Sequence, residues 1–408
     1  MTQDIARRLP HDLYVTAGAR GISILGNAIA VTALLLDFHD RGTGAWAVGG
    51  LLAAGALPIV LLAPVVGSLV DRFDSRVLIV VSSLWQAAAC ALLAFVGSVP
   101  QVALPLVALN ACGTAMTNPI FLALITVMVP CRQLASANSV QQGAVTIATM
   151  VGPPIGGLLT GFAGGARVPL LLDAVIFLVV AGTGLLISTR RRPTPNTPRP
   201  NARAGITMLF ADHVLAAVVA LAVFLPVVVH LIYVAQVFLV RDTFGASALV
   251  FGLLQATHTV GLLIGTVVAS RLNTVRRIVL GTPLSAAAMS AIIVMIGLVR
   301  SLPATFVLYV VMGVLMSMVS VSGGTLLLTR IPEPAIGRVM ASFTAIHRSA
   351  GLVAYGLGGV IVGVLRPEVV YVLAGSAALM IVLGLVPAFR RAVLVAAPAV
   401  PAPRVPTE

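Results

Sequence analysis

Few residues in this 408-residue chain could hold a charge, a proton or a polar ligand within its long apolar runs. Arg348 lies about nine residues, roughly 13 Å of helical rise, into one such run, which is deep for a guanidinium to reach the headgroups. A charge at that depth costs several kcal/mol unless it faces water or finds a partner, so Arg348 either points into a polar cavity or pairs across a bundle. Arg20, Ser23 and Asn27 form a polar stripe, with Arg20 and Asn27 two turns apart on nearly one helical face. They predict contacts to a ligand, with snorkelling of Arg20 to the headgroups as the alternative. Gln255 and His258 are three residues apart and share a face. His258 titrates near neutrality, so it reads either as a proton carrier or as a hydrogen-bonded core histidine. Asp173 is the carboxylate that falls clearly inside an apolar run. It follows Pro169 near a helix start, where the macrodipole favours a negative charge with no further role, and it is also the carboxylate best placed to carry a proton. His230 is a weaker candidate, and His347, about 100° round the helix from Arg348, reads as a packing residue.

The elements that must position these residues are transmembrane helices. With 59% hydrophobic and 9% charged residues, the chain departs far from a water-soluble globule. Apolar runs of near-spanning length predict crossings at 14–36, 46–70, 77–97, 102–128, 138–162, 168–189, 213–239, 248–270, 278–299, 303–328, 339–364 and 369–388. Continuous runs such as Val175–Val180 lack the alternation a transmembrane barrel requires. The fold class expected is an all-α membrane protein with twelve transmembrane helices in two six-helix pseudo-repeats. The units are a bundle over 1–189, a cytoplasmic Arg/Pro-rich linker over 190–212, a second bundle over 213–390 and a disordered cytoplasmic tail over 391–408.

The net charge of +13 rests on 25 arginines and no lysine. Counted over alternate loops, eighteen arginines fall on the side of the termini, five (Arg41, Arg167, Arg241, Arg300, Arg366) on the other, and Arg20 and Arg348 inside spans. That bias predicts both termini in the cytoplasm and a multi-pass protein of the inner cell membrane. Aromatic-studded basic patches are absent, so nucleic acid is not an expected partner. The three cysteines, Cys90, Cys112 and Cys131, lie in or beside apolar runs and suggest no disulfide framework.

Two local patterns stand out. Between spans two and three, Gly67 is followed by Asp71-Arg72 and by Arg76. Gly67 is expected to allow close helix approach, Asp71 to accept from the amides that start the next helix, and the arginines to complement helix carbonyls or acids in a charge latch. In span five, Gly152-Pro153-Pro154-Ile155-Gly156-Gly157 removes backbone donors and lets another helix come to backbone distance, as a gate helix would. A generic kink remains the alternative.

The loop pattern resembles the signature of the major facilitator superfamily, and Gly265 to Arg271 with Arg276 and Arg277 is similar to its second copy without the acid. The span-five pattern resembles the core of the antiporter motif of exporting facilitators, with Ala148 and Ser139 in place of the upstream glycines. Gly26-Asn27, Asn118-Pro119, Leu134 to Asn138, Asp173 and Gly337-Arg338 extend the resemblance to the drug- and macrolide-efflux branch, which includes siderophore exporters. That resemblance implies that the first, fourth, seventh and tenth spans line a central cavity. Asn27 and Asn110 stand where relatives carry an acid and an Arg, which speaks against proton coupling through either.

No Gly-rich phosphate loop with its lysine, no His-Glu-x-x-His and no Gly-x-Ser-x-Gly occurs, so neither an ATP-driven pump nor a membrane hydrolase is expected. The expectation is a secondary transporter, not an enzyme, exporting a neutral or anionic amphipathic molecule as a monomer by proton antiport. No cofactor and no metal are expected. An importer or a lipid flippase of the same fold is the alternative, and a non-transporting sensor a remote one. Arg20, Asn27, Asp173, His258 and Arg348 are the substrate or coupling candidates. Gly67, Asp71, Arg72, Arg76, Gly152, Pro153, Gly156 and Gly157 are the gating candidates.

Overall fold

In hydrocarbon, a backbone must satisfy its own hydrogen bonds, and in the computed structural model each apolar run does so as a helix. Residues 10–97, 99–187, 209, 213–271, 275–332 and 335–395 are described. The helices are α1 (His11–Asp40), α2 (Ala45–Leu61), α3 (Ala63–Arg72), α4 (Ser75–Val96), α5 (Pro100–Met128), α6 (Leu134–Ala163) and α7 (Arg167–Leu186). They continue as α8 (His213–Phe238), α9 (Ala248–Ala269), α10 (Val275–Leu298), α11 (Leu302–Arg330), α12 (Ile336–Val364) and α13 (Pro367–Val395). Eleven of these segments are long and apolar enough to cross a membrane. The remaining crossing, expected as one helix over 46–70, is made by α2 and α3 in succession. Pro64 has no N–H for the carbonyl of Val60, and the chain bends at Leu62 between the two. The chain is thus an all-helical, multi-pass membrane protein. The expected linker lies outside the described residues except for residue 209, as does the tail beyond Val395, whereas residues 391–395 continue α13.

Turn chemistry accounts for several helix ends. The Asp74 carboxylate accepts from the Arg76 amide at 2.9 Å and caps α4, and Ser247 accepts from the Val250 amide and caps α9. The amide acceptance expected of Asp71 is therefore supplied by Asp74, the extended residue directly before α4. The side chain of Asp71 lies outside the described residues. Gly164, at φ +67°, ends α6 in the left-handed region.

Each helix shows lipid one stripe and its neighbours another. On α7, Val168, Leu172, Val175 and Val179 are exposed, while Leu170, Asp173, Phe177, Val180 and Gly184 are buried at three- and four-residue spacing. The first six crossings pack chiefly through α1 on α6 and α7, α4 on α5 and α7, and α2 on α5. The last six do so through α9 on α11, α10 on α11 and α13, and α8 on α12 and α13. Between the two sets the main contacts are α6 with α9 and α2 with α12.

Those contacts sit at one end of the bundle, the far end, where α1 finishes; the near end is where α1 begins. A Cβ on Gly49 of α2 would lie 2.7 Å from the backbone of Gly359 on α12. One on Gly157 would collide with the Ala248 carbonyl, and one on Gly252 with that of Pro153. Glycine is what allows backbones to meet there. On the near-end parts of the same spans, a Cβ on Gly67, Gly143 or Gly337 meets nothing within 4 Å. Gly67 is exposed and supports no close helix approach in this conformation, because the α3 portion of its span stands clear of α12. The two sets of six are closed at the far end and parted at the near end.

Candidate functional site: a cavity between the two six-helix sets

Where α1, α6, α8, α9 and α11 converge behind the closed far end they leave a cavity of about 320 Å³. Its polar wall consists of Asn27 and Thr32 on α1, Thr149 on α6, Tyr233 and Gln236 on α8, Gln255, His258 and Thr259 on α9, and Tyr309 on α11. No carboxylate or guanidinium among the described residues lines it. Tyr233 donates to Gln255 Oε1 at 3.0 Å, which fixes that amide and leaves Gln255 Nε2 buried without a partner. His258 Nε2 is likewise buried and unpartnered. Tyr309 donates to Tyr371 at 2.6 Å, and Tyr371 to the Ile232 carbonyl at 3.3 Å, so this phenol pair braces the wall. An unmet donor in such a place costs about 1–3 kcal/mol, which a ligand's acceptor oxygen would recover.

Of the sequence candidates, Asn27 and His258 come together at this cavity, and Pro153 of the gate motif lines it. Gly152 and Gly156 let α6 close on α1, a Cβ on Gly156 standing 2.8 Å from the Ile29 carbonyl; Gly157 makes the contact with α9. Arg20 is elsewhere. Its Nη1 donates to Gln141 Oε1 at 3.0 Å and its Nη2 to Asn118 Oδ1 at 3.2 Å, so it is a buried cation held by two neutral amides between α1, α5 and α6.

Arg348 is exposed and does not line the cavity. Tyr355 and Gly359 follow it by seven and eleven positions and therefore share its face of α12 to within about 20°. Gly359 abuts α2, so Arg348 lies on the face of α12 that meets α2, about 16 Å further toward the near end. Arg72 is exposed there too, and no described residue forms an ion pair with Arg72 or Arg76. His230 Nδ1 donates to the Pro226 carbonyl, 2.6 Å away, and the ring packs edge-on against Tyr355. His347 stacks on Phe343 beside a largely apolar cavity of about 170 Å³.

A second polar cavity, about 250 Å³, lies mainly among the first six crossings and is lined by Asn27, Cys90, Asn110 and Thr114 among aliphatic residues, with Tyr355 of α12 on its border. Asn27 and Val31 thus border both spaces. Asp173 is fully buried behind Cys90, whose thiol donates to Asp173 Oδ2 at 3.3 Å; Asp173 Oδ1 has no partner.

Sequence reasoning missed the far-end ion pairs. Arg241 at the end of the α8 span donates to Asp40 of α1 at 2.7 Å, and His39 bridges Asp40 and Asp242 at 3.0 and 2.8 Å. Arg300 and Thr243 hold Glu368 nearby, at 2.7 and 2.9 Å. The signal available was opposite charges just past the ends of the first and seventh crossings, equivalent places in the two repeats.

Comparison with known proteins agrees with this architecture. Over a stretch that makes up 36% of this chain and 37% of the relative, the sequence is 25% identical to macrolide efflux protein A of Streptococcus pyogenes; the match therefore spans little more than a third of that protein. Among solved structures, a POT family transporter in complex with a thioalcohol-conjugated peptide superposes with a TM-score of 0.75 at 12% identity, covering 94% of this chain and 96% of that one. A bacterial homologue of the human lysosomal transporter Spinster, inward-facing and occupied, gives 0.71 at 13% identity over 94% and 95%. The nucleoside transporter NupG gives 0.72 at 12% identity over 93% and 100%. The model of the Major Facilitator Superfamily matches residues 16–240, more than half of the sequence. With twelve crossings around a cavity between two six-helix sets, the chain belongs to the major facilitator superfamily.

Proposed function

We propose that this protein is a secondary exporter of a small amphipathic molecule, neutral or anionic, working by alternating access and as a proton antiporter. The observation that carries the reading is the cavity between the two sets, where the Gln255 Nε2 donor and the His258 Nε2 atom are buried without a partner and no carboxylate among the described residues lines the wall to hold a cation. The arginine count supports a cytoplasmic near end. On that orientation the parted near end would open to the cytoplasm, with the exposed Arg348 on the entry side. Cargo would enter there, seat against Asn27, Gln255 and His258, and be released when the near end closes and the far-end ion pairs part. The loop carrying Asp71, Arg72 and Arg76 would then meet the second set as a cytoplasmic latch. The partial likeness to a macrolide efflux protein supports export and an amphipathic cargo. Movement inward, or of a lipid between leaflets, would use the same cavity in the opposite sense.

Everted vesicles given an imposed pH gradient test both direction and coupling, with erythromycin, a panel of acidic natural products and a cationic dye as probes. Uptake of a neutral or acidic probe that collapses with the gradient is expected. Selective movement of the cationic dye, unchanged in Arg348→Ala, would overturn the substrate class, and uptake indifferent to the gradient would overturn the antiport.

A further inference from the structure

Three features converge behind the smaller polar cavity of the first six crossings. Asp173 has no exposed surface, no Arg or His among the described residues bonds to it, and its Oδ1 is an orphan. Its other oxygen accepts from Cys90, which itself lines that cavity. On the opposite side, α1 presents Gly26, and a Cβ there would collide with Asp173 Oδ1. The next residue, Asn27, borders both this cavity and the one between the two sets. Cys90 is the titratable group that faces Asp173 from α4, and α1 faces it with Gly26, which is uncharged.

A carboxylate sealed in this way, with one thiol donor and no counter-ion, is a poor resident as an anion and a good one as an acid. We propose that Asp173 and Cys90 form the proton-carrying site of this transporter, reached through the cavity bordered by Asn27, Asn110 and Thr114 and not through the space that holds cargo. The inference rests on the antiport reading and deepens it. A proton from water in that cavity bonds to Asp173 and leaves again by the same route; no other bond forms or breaks. Since Gly26 is pressed against Asp173 Oδ1 and Asn27 faces the cargo, α1 is the element through which the charge on Asp173 alters the cargo wall.

The full chain in liposomes of phosphatidylethanolamine and phosphatidylglycerol tests the site without any cargo. Infrared difference spectra between acidic and alkaline buffer should show a carboxylic C=O band that is lost in Asp173→Asn and shifted in Cys90→Ser. A spectrum that Asp173→Asn leaves intact overturns the site. The route is read from alkylation of Cys90 by N-ethylmaleimide in a Cys112→Ala, Cys131→Ala background. Gly55 lines the smaller cavity and a Cβ on it meets open space, so Gly55→Leu fills that cavity without a clash at its base. It should slow Cys90 labelling about tenfold, whereas Thr149→Phe in the space between the sets should not. The opposite pattern overturns the route. Failure of the antiport reading is distinguishable: wild-type vesicles would then ignore a pH gradient while the band and the labelling pattern persist. If wild type and Asp173→Asn convert the gradient equally well, the antiport stands and this site falls.

Discussion

The two ends of the molecule use opposite means with similar residues. At the far end, Gly49, Gly157, Gly252 and Gly359 bring backbones together, and the Asp40–Arg241 ion pair and the His39–Asp242 hydrogen bond span the two sets. At the near end, Gly67, Gly143 and Gly337 face open space, and Arg72 and Arg348 stand exposed. The lesson is that a motif residue reports what its end can do, not what it is doing in one conformation. Gly67 has nothing within 4 Å of a would-be Cβ in this conformation.

Ways to break this contrast rank by how much backbone they move. Gly359→Leu drives a side chain into α2 where backbones are already in contact, and should abolish transport while leaving labelling of a near-end Gly337→Cys probe intact. Normal transport in that variant would mean that the far end never seals as described. Gly26→Ala, aimed at Asp173 Oδ1, should remove at least about tenfold of gradient-driven accumulation, with downhill exchange of the same probe preserved. Loss of both together would point to misfolding instead of coupling.

Smaller effects sharpen the cavity and the far-end closure. Gln255→Leu removes one orphaned donor and the acceptor of Tyr233, and a cargo bonded there should lose about tenfold in affinity, read as apparent KM with maximal rate little changed. Arg241→Ala should loosen the far end least of all, shifting labelling of a far-end cysteine by no more than about fivefold, because Asp40 and Arg241 are partly exposed and salt-screened. A larger shift would make the ion pairs, and not the glycines, the main closure.

Much was legible in the sequence, and the reasons are local. Twenty-residue apolar runs must be helical in hydrocarbon, so the crossings followed from composition, and α1, α5 and α9 begin and end within a few residues of expectation. The close packing of α6 at Gly152, Gly156 and Gly157 was legible because Gly and Pro act at backbone level whatever the neighbour. Asn27 and His258 were found because intramembrane polarity is rare enough to be counted one residue at a time. The break at Leu62 and the cap at Asp74 were missed because each depends on where the backbone leaves the helix, a matter of one or two residues.

The sequence alone determined that the chain crosses the membrane repeatedly, which loops are arginine-rich, and which few polar side chains lie at depth, since all three follow from one-dimensional counts against a fixed slab thickness. Only the tertiary structure decided which of those side chains meet. That Arg20 is held by amides, that Cys90 stands between Asp173 and a cavity, and that Asn27 borders two spaces at once depend on helix rotation and on contacts between residues some eighty or more apart. Side-chain volume at helix crossings sets those, and no periodicity within a single span encodes it.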